Sequence, residues 1–172
     1  MLELILGNIC SLIAMGTDAV SSWAKSARKM LLFQCLSQGI YAVGSVILKG
    51  YSAAVQNVIS LARNLSATRK RSLPVVEWIL IALGVGLGLY FNNRSWIGLL
   101  PVVANLEYSL AVLFFKDNEH LLKIAFFIDV LLFCIFNTVI LNIVGTVSNI
   151  VVMIMTLVAI IRNAKQNKQA HE

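Results

Sequence analysis

Apolar residues run through this chain in long blocks. Examples are "LELILGNICSLIAMG", "LLFQCLSQGIYAVGSVIL", "VVEWILIALGVGLGLYF", "IGLLPVVANLEYSLAVLFF", "IAFFIDVLLFCIFNTVIL" and "IVGTVSNIVVMIMTLVAII". Each approaches the roughly 20 residues that a helix needs to cross a bilayer core at 1.5 Å per residue. The exception is Tyr51 to Arg71, "YSAAVQNVISLARNLSATRKR", which carries Gln56, Asn57, Ser60, Arg63 and Asn64 before a basic cluster. At 100° per residue these five positions share about a third of the helix circumference, and Val58, Ile59, Leu61, Ala62 and Leu65 fill the rest. The pattern predicts an all-α integral membrane protein with six plain spans and a polar-striped seventh.

Charge supports the seven-span count. The chain is 59% hydrophobic and 13% charged, far from the quarter charged of soluble domains, and its net charge of +6 sits between apolar blocks. That placement argues for topology and against nucleic acid. With seven spans, eleven loop and tail cations fall on one side and two on the other. The positive-inside rule then puts the N-terminus outside and the C-terminus in the cytoplasm. Treating Tyr51–Arg71 as an interfacial helix splits the cations ten to four, a weaker asymmetry. "MLELILG" opens with an acid and lacks the basic start of a removable signal peptide.

An internal echo points the same way. "VIL" at Val46–Leu48 precedes Asn57, Leu65, Ala67 and Lys70; "VIL" at Val139–Leu141 precedes Asn149, Leu157, Ala159 and Arg162. The expected architecture is two parallel three-helix repeats joined by a linker helix. Residues 1–70 form the first repeat, 71–95 the linker span, 96–163 the second repeat and 164–172 a solvated cytoplasmic tail. A linker crossing leaves both repeats in one orientation. Gly84 and Gly88 in the linker span make a small-xxx-small face for close helix contact, or else a flexible face toward lipid.

Polar side chains in hydrocarbon need a partner or a wet cavity. The stripe of Tyr51–Arg71 therefore lines a cavity or glues helices together. Asn149 stands in the seventh span where Asn57 stands in the third, and each amide has two donors and two acceptor lone pairs. Facing each other across a pseudo-two-fold axis, the two would grip a neutral polar solute, with Ser60 beside them; structural hydrogen bonding is the competing role. Tyr41 and Phe133 each lie sixteen residues before their repeat's asparagine, positioned to stack on a ring or simply to pack. Glu107 and Asp129 lie within spans, as groups of an ion or proton pathway do, and Arg63 is the expected partner of one of them. Asp18 and Glu77, near span ends, are expected to reach water. Gln34, Ser37 and Gln38 add polar groups to the second span, and Trp23, Trp78 and Trp96 suit interfacial anchors.

Enzyme chemistry finds no support. His120 and His171 have no motif around them, and no nucleophile elbow, phosphate loop or HExxH occurs. Cys10, Cys35 and Cys134 fall inside apolar blocks as small buried residues, without metal-ligand spacing. No cofactor is expected; the expected partners are the lipid bilayer and a small polar solute, with a homo-oligomer left open.

"VQNVISLARNLSATRKRSL", "IGLLPVVANLEYSLAVLFF" and "TVSNIVVMIMTLVAIIRN" resemble segments of the YgjV-like family of bacterial inner-membrane proteins, over most of the chain. More distantly, the three-one-three plan resembles the SWEET and PQ-loop transporters. That resemblance implies sugar contact at Asn57 and Asn149, flanking aromatics at Tyr41 and Phe133, and a hinge at Pro101. The chain departs from it in having no Pro-Gln dipeptide and no tryptophan at the aromatic positions. The buried acids Glu107 and Asp129 are closer to proton-coupled PQ-loop members. The expectation is a carrier of a sugar or similar small metabolite working by alternating access. Alternatives are a proton-coupled carrier of an amino acid or vitamin-like solute, or a non-transporting scaffold or assembly partner.

Overall fold

A computed structural model describes residues 2–47, 51–69, 74–92, 95–139 and 143–169. Lys49, Lys70, Arg71, Arg94 and His171, with Leu48, Ile140 and Leu141 of the repeated triplet, lie outside the described residues. Among the described residues seven helices follow one another: α1 (Leu2–Ser22), α2 (Ala27–Ile47), α3 (Tyr51–Ala67), α4 (Pro74–Tyr90), α5 (Leu99–Phe115), α6 (Glu119–Val139) and α7 (Ile143–Gln169). Among the described residues there is no strand. The α7 helix continues past residue 163, where the apolar pattern ends and a tail was expected, because its last turns contain no helix breaker.

Among the described residues four helices are long and apolar enough to cross a membrane: Ile5–Ser22, Ala27–Ile47, Glu119–Val139 and Ile143–Ala164. Val75–Tyr90 and Leu99–Phe115 are apolar but shorter. The α3 helix, 17 residues long, falls short because its polar stripe lowers its hydropathy. Packing accommodates that stripe, for α3 lies against α2, α4 and α5.

Contacts along the chain show consecutive helices running antiparallel. A Cβ added at Gly44 of α2 would meet Cys10 of α1, while Ser37 donates to Asp18. Asn57 of α3 reaches Ser45 of α2, and Asn64 reaches Gln34. The helices close into a ring: α1 packs on α2, α2 on α3, α3 on α5, α5 on α6, α6 on α7, and α7 on α1. Across the ring α2 touches α6, and α4 packs outside against α3 and α5.

Gly84 and Gly88 face inward, which explains the position of α4. A Cβ at Gly84 would sit 3.6 Å from Asn105 and Ile59; one at Gly88 would collide with Gln56 and with Val102. Of the two faces considered for these glycines, the close-contact one is observed. Glu77 lies seven residues before Gly84 and so shares that face; only 3% exposed, it does not reach water as its place near the end of α4 suggested.

The molecule is apolar outside and mixed inside. Leu2, Ile5, Ile9, Leu12, Ile13, Trp78, Ile79, Ile154 and Ile161 are among many large exposed apolar side chains. Such a surface suits lipid and would be a liability in water. At one end of the ring, Ala24, Met30, Leu31, Ala67, Ala111, Val112, Leu122, Ala125 and Val152 form a compact apolar cluster. Ser22 and Thr156 tie α1 to α7 there, 2.6 Å apart. Lys123, counted among the loop cations, is instead in the first turns of α6, 1% exposed and 4.0 Å from Glu119. Arg162 caps the same region over Trp23, 5.5 Å from the ring centroid. The three cysteines are free and half-buried rather than fully enclosed.

Candidate functional site

Above the apolar cluster the ring encloses a cavity of about 240 Å³. Its wall draws on all seven helices and reaches Phe91, Asn92 and Gly98 beside the ends of α4 and α5. Tyr108, Phe126 and Val130 form its floor and belong also to the apolar cluster, so the cavity stops where close packing begins.

Most of the residues singled out from sequence meet here. Asn57, Ser60 and Arg63 of α3, Tyr41 of α2, Pro101 of α5, Asp129 and Phe133 of α6, and Asn149 of α7 all line the cavity. Glu107 does not. It is half-buried on another face of α5, with Oε2 lacking a partner. Asn57 and Asn149 share the cavity but do not bond each other. Asn57 Nδ2 lies 3.4 Å from Ser45 Oγ, and Asn149 Nδ2 is buried with no acceptor.

Arg63 corrects a second expectation, because amides and hydroxyls receive it rather than a carboxylate. Nη1 donates to Asn105 Oδ1 at 2.6 Å, to the Asn105 carbonyl at 3.2 Å and to Ser109 Oγ at 2.7 Å. Nε donates to Asn64 Oδ1 at 3.0 Å, and the guanidinium lies over Tyr108, 4.8 Å from the ring centroid. The arginine is 3% exposed, so these contacts replace the water it has lost.

A guanidinium only donates, and this sets the direction of every amide that follows. Arg63 Nη1 obliges Asn105 to present its oxygen. Asn105 Nδ2 then donates to Gln56 Oε1 at 2.5 Å, and Gln56 Nε2 to the Gly84 carbonyl at 3.0 Å, where the chain ends satisfied. Ser60 adds a second donor to Asn105 Oδ1 at 2.9 Å. The other chain starts at Nε. Asn64 turns its oxygen to Arg63, so its Nδ2 donates to Gln34 Oε1 at 3.3 Å. Tyr108 donates to the same oxygen at 2.6 Å. Gln34 is fully buried on the cavity wall, and its Nε2 has no acceptor. Asparagine and glutamine orientations follow from one fixed donor.

Asp18 is the third correction. Placed near a span end by sequence, it is 5% exposed, lines the cavity, and accepts a hydrogen bond from Ser37. Its face of α1 turns toward α2 and not toward the end of the helix. Among the described residues, Asp129 accepts no side-chain hydrogen bond, and it shares the cavity wall with Asp18 and Arg63.

Sequence reasoning passed over Asn105, Tyr108 and Ser109. Their i, i+3, i+4 spacing is a polar stripe on α5, on the face that meets the stripe of α3. The neighbouring acid Glu107 drew attention to the wrong face. What the site can do is enclose a small polar molecule among amides, two carboxylates and aromatic rings.

No curated protein and no solved structure matches the chain. A family model described as a bacterial inner membrane protein, Imp-YgjV, matches residues 5–167, and the chain therefore belongs to that family.

Proposed function

We propose that this inner-membrane protein is a carrier of a small polar solute, such as a sugar, working by alternating access at the central cavity. The observation that supports it best is the cavity itself: about 240 Å³ of space, its wall set with amides, hydroxyls and charged groups among apolar side chains, inside a shell of outward apolar side chains. Ligand sites for drug-sized molecules run from roughly 300 Å³ upward, so the solute is small. Asn57, Asn149 and Ser60 are its polar contacts, Tyr41 and Phe133 flank it, and Pro101 is the hinge.

Helix packing supports a parallel repeat and, with it, the SWEET-like plan. Exchanging α1, α2 and α3 for α5, α6 and α7 maps each ring contact onto another ring contact: α1–α2 onto α5–α6, α2–α3 onto α6–α7, α3–α5 onto α7–α1. In this reading all seven helices span, α4 is the linker, the N-terminus lies outside, and the apolar cluster closes the cytoplasmic side. Asp129 on the cavity wall is the group for proton coupling in the PQ-loop manner; Glu107 and Arg63 would act beside it. Uptake of labelled sugars, amino acids and vitamins into proteoliposomes tests the proposal. Uptake abolished by Asn149→Ala, in a variant that melts at the wild-type temperature, supports it; absence of uptake for every solute overturns it.

The scaffold reading has its own observation, the two amide chains radiating from Arg63, which lock α2, α3, α4 and α5 together as polar glue does. It expects Asn57→Ala and Asn149→Ala to alter stability or partner assembly and no flux.

A further inference from the structure

The proposed carrier leaves the chemistry of its solute open, and three unmet needs of the cavity wall narrow it. The first is charge. Taking the lining element by element, α1 contributes Asp18, α2 Tyr41, α3 Arg63, α5 Tyr108 and α6 Asp129; α4 and α7 contribute no ionisable side chain. Two carboxylates thus face one guanidinium, which is already committed to Asn64, Asn105 and Ser109. The wall is short of one positive charge. A buried negative charge without a counterpart is costly and is met by a proton or by a cation; the unmet donors that follow favour an occupant that brings the cation together with an oxygen.

The second need is an acceptor. Gln34 Nε2 must donate, because Arg63 acting through Asn64 forces the Gln34 oxygen to accept, and nothing receives that N–H. Asn149 Nδ2 is in the same condition. Two buried amide donors on one cavity wall call for oxygens on the occupant.

The third is spacing. Ser37, one turn beyond Gln34 on α2, holds Asp18 through its hydroxyl and bonds back to the Gln34 carbonyl at 3.0 Å. Ser37 thus ties the Asp18 carboxylate to the turn of α2 that carries Gln34. An occupant bearing an ammonium and an oxygen close together suits this pairing of a carboxylate with a neighbouring amide donor. Phe133, Phe126 and Tyr41 complete an aromatic wall on which a cation is also favoured.

We propose that the solute is a monocationic amino alcohol of amino-sugar size, its ammonium held between Asp18 and Asp129 and its neighbouring oxygen received by Gln34. The inference rests on the carrier reading for its meaning but is tested by binding alone. The detergent-purified protein would be titrated, at neutral pH and in sodium-free potassium phosphate buffer, with two matched sets: glucosamine, glucose and glucuronate; serinol, glycerol and glycerate. Thermal stabilisation supplies the apparent dissociation constants. The expected result is that, in at least one set, the amine binds at least tenfold more tightly than its neutral and anionic counterparts. Asp129→Asn should abolish that preference, and since no side chain hydrogen-bonds to Asp129 and its charge lacks a counterpart, its unliganded melting temperature should equal or exceed that of wild type. Gln34→Leu should weaken the amine and its neutral counterpart alike.

The inference is overturned if a neutral or anionic member equals the amine, or if no member of either set binds. It is also overturned if sodium or acidification alone reproduces the whole stabilisation, which would make the acids a coupling-ion site. Uptake of glucose with no amine preference would sink this inference and leave the carrier standing. Amine binding with no uptake of any solute would do the reverse.

Discussion

Arg63 shows how one side chain organises a whole interior. It can only donate, and from that restriction the orientations of Asn64, Asn105, Gln56 and Gln34 follow in turn. An interhelical hydrogen bond inside a membrane contributes about 0.6 kcal/mol on average, so most single losses are small. Asn105 differs, because its removal takes a short side-chain acceptor from a buried cation and leaves Gln56 Oε1 without its donor. Asn105→Leu is expected to destabilise by about 2–4 kcal/mol. Ser60→Ala, which removes one of the two donors to Asn105 Oδ1, should cost about 0.6 kcal/mol. Denaturant titration of both variants in the same detergent measures the difference. From sequence Arg63 was plainly out of place in an apolar chain, but its partners were not readable. An arginine is compatible with acids and amides alike, and only the facing of α3 on α5 selects Asn105 and Ser109 over Glu107.

At the scale of elements, α4 carries a contrast among its glycines. Gly88 lies against Gln56 and Val102, with Val102 Cγ2 2.8 Å from where a Cβ would stand, whereas Gly86 faces open space. Gly88→Ala should therefore cost about 1–3 kcal/mol by forcing α4 away from α3 and α5. Gly86→Ala should be neutral or slightly stabilising, since alanine favours helix over glycine. Melting temperatures of the pair decide it, and equal effects would contradict the close packing of α4. The small-xxx-small spacing was visible in the sequence, as was the polar stripe of α3. Which face of α4 met the bundle was not, because a helix with apolar residues all round carries no inward direction of its own.

The whole molecule is asymmetric end to end, with a cavity of mixed polar and apolar lining at one end and close apolar packing at the other. In a cysteine-free background, Asn149→Cys should react with a thiol reagent that cannot cross membranes, applied to intact cells. Leu122→Cys, fully buried in the apolar cluster, should stay unreacted from the same side. If Asn149→Cys stays unreacted in intact cells but reacts in inverted membrane vesicles, the proposed orientation is reversed.

The sequence by itself determined the class of protein and the places where it breaks its own rule. Long apolar blocks can only be helices in lipid, since every backbone group must bond within its own segment. Polar residues inside them, Asn57, Arg63, Asp129 and Asn149 above all, announced an interior that is not dry hydrocarbon. Tertiary structure alone decided which of these look into one cavity and which satisfy one another. It brought Asp18 inward, turned Glu107 away and left the Gln34 amide idle. The reason is geometric. Periodicity fixes the angle between residues on one helix, but the rotation of each helix against its neighbours is set by long-range packing that no local stretch encodes.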